Sequence, residues 1–171
     1  MSEQRIVIVS YNWPPRNAIG THRPYAWARY WSEAGMQVTV LTAQKQVFDE
    51  PLDMPLPVLE GVNVIEVPFS GTKERLANKL LKSQKARQFA KRINAWFARQ
   101  KSGGIDPRGA WRVAARETAA YLANEADVVV STFGPSAAHL IAADMKVRQP
   151  NLFWVADYRD LWSQAYTANL S

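Results

Sequence analysis

The chain has no cysteine, which excludes a disulfide framework and any thiolate-ligated metal site and makes the cytoplasm the expected compartment. Histidine is almost as scarce. His22 and His139 stand on separate segments, with no His/Asp/Glu spacing around them that resembles a metal site, so no metal is expected. No stretch of about 18 apolar residues occurs, so no membrane-spanning helix is expected. The opening "MSEQRIVIVS" lacks the apolar core of a signal peptide. Glycine is sparse where a cofactor fingerprint would need it. The loop over residues 11–20 holds one glycine where G-x-G-x-x-G requires three, and no Gly-Lys-Ser/Thr ending follows, which excludes a dinucleotide fingerprint and a P-loop. No serine lies in a G-x-S-x-G elbow, so a hydrolase triad is not expected either.

Acidic residues are missing from one segment. Over residues 73–101 ten Lys and Arg face a single acid, Glu74, so this stretch carries +9 and the remainder is slightly acidic within an overall charge of +6. Leu76, Leu80, Phe89, Ile93, Trp96 and Phe97 keep roughly helical spacing, which predicts a long basic helix over 73–100. Two readings of it stay open. One is an ordinary surface helix packed on the sheet. The other is a face that touches an anionic membrane surface, placing the protein peripherally on the cytoplasmic side. No nucleic-acid reader motif accompanies the charge, so no nucleic-acid partner is expected.

What is present is a globular composition, 47% apolar over 171 residues, enough for one domain with a proper core. "RIVIVS" is a continuous apolar run of the kind a doubly covered parallel strand shows. Further strands are predicted over 36–42, 62–69, 126–132 and 152–156, with an irregular Pro-rich excursion at 43–61. Helices are predicted after Thr21, over 108–124, and from Pro135 to about residue 147. In the first, Thr21 is the expected cap, Pro24 lies in the tolerant first turn, and Trp27, Tyr30, Trp31 and Ala34 form the buried face, with Gly35 as the stop. Alternating strands and helices imply an α/β fold: a parallel sheet, helices on both faces, strand order about 3-2-1-4-5. Ligands of such sheets sit at the carboxyl ends of the strands where the order reverses, here between the first and fourth.

Three unusual loops flank that point. The first, "YNWPPRNAIG", ends on Gly20 before a helix, where free N–H groups and the helix dipole favour an anion, with Arg16 and Arg23 at hand. The second, "TFGPS", leads into a helix with Ser136 at its start and His139 one turn on. The third, "VADYRDLW", crowds Asp157, Arg159 and Asp160 against Tyr158 and Trp162. Those charges serve either as a salt-bridge cluster or as hydrogen-bonding groups for a ligand's hydroxyls, the aromatic walls suiting a sugar.

"SYNWPPRNAIGTHRPYAWARYWSEAGMQVTVLTA", "VVVSTFGPSAAHLIA" and "FWVADYRDLW", in that order and spacing, resemble the amino-terminal domain of family 4 glycosyltransferases. The resemblance covers most of the chain outside 43–110. It implies a GT-B enzyme of two Rossmann-like domains that transfers a sugar from a nucleotide diphosphate sugar to a polysaccharide or lipid-linked acceptor, retaining and metal-independent, with no cofactor besides that donor substrate. Residues 1–171 are then a single acceptor-side domain, expected to be truncated and inactive alone, because the donor-binding carboxy-terminal domain is absent from them. By motif match, Gly20 and Arg23 fall to the donor pyrophosphate. Asn12, Ser136, His139, Asp157, Arg159 and Asp160 fall to the acceptor, and Asp157 and Asp160 are the candidates for any catalytic role. Arg159 stands where many relatives carry histidine, and Ile19-Gly20 where many have paired glycines. A stand-alone, non-catalytic module that binds sugar, nucleotide or another protein is the alternative.

Overall fold

Short Val- and Ile-rich runs become strands here because β-branched side chains fill a pleated surface well; the inner strands are buried on both faces, whereas the edge strands of the sheet keep exposed positions such as Val64 and Phe153. The computed structural model describes residues 4–46, 49–69 and 110–158. Among these, the chain order is β1 (Arg5–Val9), α1 (Ile19–Glu33), β2 (Gln37–Ala43), β3 (Val62–Val67), α2 (Trp111–Glu125), β4 (Val128–Thr132), α3 (Ala137–Arg148) and β5 (Phe153–Asp157). The strands form one parallel sheet in the order β3-β2-β1-β4-β5, so the chain is an α/β protein of Rossmann-like arrangement. That matches the order expected from the sequence. The basic segment at 73–100, and Arg159, Asp160 and Trp162, lie outside the described residues.

Period-two alternation divides each strand between two cores. Ile6, Ile8, Val38, Val40 and Val130 face α1 and pack with Tyr25 and Ala28. Val7, Val9, Leu41 and Val129 face the other way, against Trp111, Ala115 and Leu122 of α2 and Ile141 and Met145 of α3. Trp111 is fully buried and meets the Tyr11 ring edge-on at 5.8 Å; burying a side chain of that size contributes about 3 kcal/mol. Arg112 grips Asp144 with two hydrogen bonds, at 2.8 and 2.9 Å, tying α2 to α3.

Helix α1 departs from its sequence reading at one end and keeps it at the other. It starts at Ile19 after Ala18, which offers no side-chain cap. Thr21 is therefore inside the helix, and its hydroxyl donates to the Arg16 carbonyl at 2.9 Å instead of capping. Pro24 is past the first turn, so its missing N–H leaves the Gly20 carbonyl without the usual partner. The buried face is Gly20, Thr21, Pro24, Tyr25 and Ala28; Tyr30 and Ala34, expected inside, are exposed. Trp27 and Trp31, also expected inside, are half-buried, so the fully buried stripe lies in the amino-terminal half of the helix. The stop is as expected. Gly35 takes φ +81°, its N–H bonds the Ser32 carbonyl, and the Met36 N–H bonds the Trp31 carbonyl, which closes the helix with a Schellman turn. At α3, Pro135 sits just before the capping Ser136 rather than inside the first turn.

Candidate functional site

Parallel strands all present their carboxyl ends at one edge, so the loops after β1, β4 and β5 converge there without any contact being required between the strands' sequences. β1 lies between β2 and β4, and the order reverses at this point. The Ser10 hydroxyl donates to the Asn12 carbonyl at 2.9 Å and sets the start of the first loop. Asn12 then reaches across the switch: its Nδ2 donates to the Gly134 carbonyl at 2.9 Å. Gly134 has φ +104°, which favours glycine; the space beside it is ordinary, since an added Cβ would lie 3.5 Å from Asn12 Nδ2. The Asn12 side-chain oxygen Oδ1 is buried without a hydrogen-bond partner.

Beyond this bridge the site divides between the two faces of the sheet. On the α1 face, Asp157 at the end of β5 accepts from Arg23 Nη1 at 2.7 Å and from the Thr132 hydroxyl at 2.9 Å. Asp157 is mostly covered, whereas about half of Arg23 is exposed. On the α3 face, His139 is buried. Its Nδ1 lies 2.7 Å from Ser131 Oγ, which also accepts from Trp154 Nε1 at 2.9 Å. Its Nε2 has no partner. Burial lowers the His139 pKa below the usual imidazole value, and the Asp157 carboxylate opposes this in part. Tyr158 connects the two halves, its ring 4.6 Å from the imidazole and one residue past Asp157.

A second polar knot, unannounced in the sequence, closes the edge over β1 and β2. Asp49 is fully buried and accepts from Tyr11 Oη at 2.7 Å, Arg16 Nη1 at 2.8 Å and the Gln46 N–H at 2.9 Å. Beside it Lys45 Nζ donates to the Ala43 carbonyl at 2.6 Å and to Thr42 Oγ1 at 3.0 Å, and lies 5.2 Å from the centre of the Tyr11 ring. Burial pushes the Lys45 pKa down to about 8, against the raising influence of Glu66 and Asp49. Asp49 comes from the irregular excursion, and an acid in a Pro-rich stretch carries no sign of its partners 33 and 38 residues away.

The predicted residues thus gather unequally. Asn12, His139, Asp157 and Arg23 meet at the edge, with Ser136 capping α3 beside them and making no side-chain cap bond. Gly20 is buried in the first turn of α1. Both arginines offered for an anion already hold carboxylates, Arg16 on Asp49 and Arg23 on Asp157. An incoming anion would have to compete with those partners. Ser131 and Trp154, read as ordinary strand residues, prove to be the groups that contact His139. Below the edge on the α1 face, a largely apolar cavity of about 780 Å³ runs past Trp27, Trp31, Val130, Phe153 and Val155 to Asp157 and Tyr158. Among the described residues no group of three or more His, Cys, Asp or Glu is placed to hold a metal, and no helix is long and apolar enough to cross a membrane.

No family model and no curated protein matches the chain. Among solved structures, it is similar to the C-terminal domain of a hydrogenase from Pyrococcus furiosus at 17% identity and a TM-score of 0.42, covering 91% of each chain. A likeness at that level carries no functional argument.

Proposed function

We propose that the chain is the acceptor-side domain of a glycosyltransferase that moves a sugar from a nucleotide diphosphate sugar to a polysaccharide or lipid-linked acceptor. One observation carries the reading. The three segments that resemble family 4 glycosyltransferases bring Asn12, His139 and Asp157 to one edge of the sheet, at the point where strand order reverses. Asp157, covered but held by two donors, can still accept from a sugar hydroxyl, and Tyr158 offers a ring face to a pyranose. Arg23 would meet the donor pyrophosphate by exchanging its bond to Asp157 for one to phosphate. Catalysis needs a donor-binding domain in addition. The basic segment 73–100 would hold the enzyme against anionic lipid at the cytoplasmic face of a membrane, near a lipid-linked acceptor.

The test is a screen of nucleotide sugars with saccharide and lipid-linked acceptors on the full-length protein, reading nucleoside diphosphate release. Turnover is expected with one donor class and should fall at least about tenfold in Asp157→Asn, the worth of one charge-assisted hydrogen bond. No turnover with any donor overturns the reading. Turnover by residues 1–171 without a partner contradicts the division of labour assigned here.

A further inference from the structure

His139 is buried, yet it has one nitrogen engaged and one with no partner, and which nitrogen carries the proton decides what the side chain offers. The surrounding donors settle the assignment by counting. The Trp154 indole N–H is a donor only, so Ser131 Oγ must accept from it at 2.9 Å. Ser131 is fully buried, and its hydroxyl contacts Asn12 by no bond and reaches no acceptor besides His139 Nδ1 among the described residues. If Nδ1 bore the proton, Ser131 would accept twice and leave its own hydrogen stranded, while Nε2 kept a buried lone pair without a donor. Two polar groups would be orphaned. If the Ser131 hydroxyl donates to Nδ1, the proton sits on Nε2 and one group only is left over, an N–H.

We propose that Ser131, oriented by Trp154, is a positioning residue that holds His139 as its Nε2–H tautomer, so that the imidazole serves the edge as a neutral hydrogen-bond donor and not as a base. The partner it fits is an uncharged oxygen acceptor, such as a ligand hydroxyl or ether oxygen, arriving beside Tyr158, whose ring lies 4.6 Å from the imidazole. Phe133, with its ring centre at 5.8 Å, and Trp154 complete an apolar surround that disfavours an imidazolium. Asp157 is the nearby charge. It engages Arg23 and Thr132 instead of the ring nitrogens. The use of the donor rests on the glycosyltransferase reading; the tautomer does not.

Imidazole nitrogen NMR on the ligand-free chain tests the assignment apart from any substrate. The expected spectrum has an unprotonated, pyridine-like Nδ1 and a protonated, pyrrole-like Nε2 for His139 at neutral pH. Ser131→Ala should convert this to a tautomer mixture while amide dispersion shows the fold retained, and Ser131→Thr, which keeps the hydroxyl, should restore it. Trp154→Phe should give an intermediate loss. A protonated Nδ1 in the unsubstituted protein overturns the proposal whatever the variants do, and an unmixed Nε2–H form in Ser131→Ala overturns the role of Ser131. A Trp154→Phe spectrum identical to the parent overturns the part assigned to Trp154.

Discussion

Two polar constellations share the carboxyl edge of this sheet and are built on opposite terms. Over β1 and β2, Asp49 is buried with three donors on its carboxylate, Arg16 among them, and Lys45 lies close by. Over β4 and β5, the groups contacting His139, which are Ser131, Phe133 and Tyr158, are neutral, with the Asp157–Arg23 pair alongside. Of the three buried side-chain atoms without a partner among the described residues, His139 Nε2 and Asn12 Oδ1 lie here, and the third, Trp111 Nε1, belongs to the ring packed on Tyr11. Buried polar groups in native proteins are nearly always satisfied, because an orphan costs about 1–3 kcal/mol. A satisfied charged knot is explained by what it ties together, here the first loop and Gln46 and Asp49 of the excursion after β2. An unsatisfied neutral pair, at the place where α/β sheets bind ligands, is explained by what it is kept for. On the reading proposed above, the first constellation serves structure and the second binding.

The comparison breaks hardest at Asp49. Removing one partner of a buried charged network leaves the others uncompensated, so Asp49→Ala is expected to cost about 3–5 kcal/mol. Urea unfolding measures it, and a loss under about 1 kcal/mol would make the knot ornamental. Lys45 comes next. Its pKa of about 8 lies below the free value of 10.5, so between these values the unfolded chain binds more protons and stability must rise with pH. The rise amounts to roughly 3 kcal/mol for a shift of this size. Lys45→Met should flatten it relative to the parent, as read from denaturation midpoints across that pH range. Equal slopes in the two proteins would remove Lys45 from the buried cluster.

Smaller effects belong to the other constellation. Ser131→Ala leaves the half-buried Trp154 N–H without its acceptor and the buried His139 Nδ1 without its partner, and is expected to cost about 1–3 kcal/mol. Arg23→Ala should cost less than about 1 kcal/mol despite its 2.7 Å contact, because half of its side chain is in water. Asp157→Asn removes the charge that opposes desolvation at His139, so the imidazole midpoint, already below 6.5, should move further down in an NMR titration. An upward move would contradict the placement of the two groups.

The strands were legible because a doubly covered parallel strand must be apolar on both faces. "RIVIVS" and "DVVVST" can hardly be anything else, and their alternation with helices left few topologies. The carboxyl edge followed from that topology, and with it the neighbourhood of Asn12, His139 and Asp157. Gly35 was legible as a stop because a left-handed turn favours glycine. The start of α1 was not, because Ala18 and Ile19 carry no capping chemistry and Thr21, the residue that does, spends its hydroxyl on Arg16. Tyr25 was missed as a buried residue because its ring partner at 5.8 Å, Trp13, comes from the loop before the helix. Ser131 and Trp154 read as sheet filler, since nothing in a strand pattern shows that two neighbouring strands pair these side chains beneath one histidine. Asp49 was hidden for the same reason: its partners are brought to it by the fold alone.

An amide NMR titration of this chain with uncharged oligosaccharides tests the division of the edge most directly. The account predicts shifts centred on Asn12, Phe133, Gly134, His139 and Tyr158, with Lys45 and Asp49 unmoved. Shifts centred on Lys45 and Asp49, or none at saturating sugar, would contradict it.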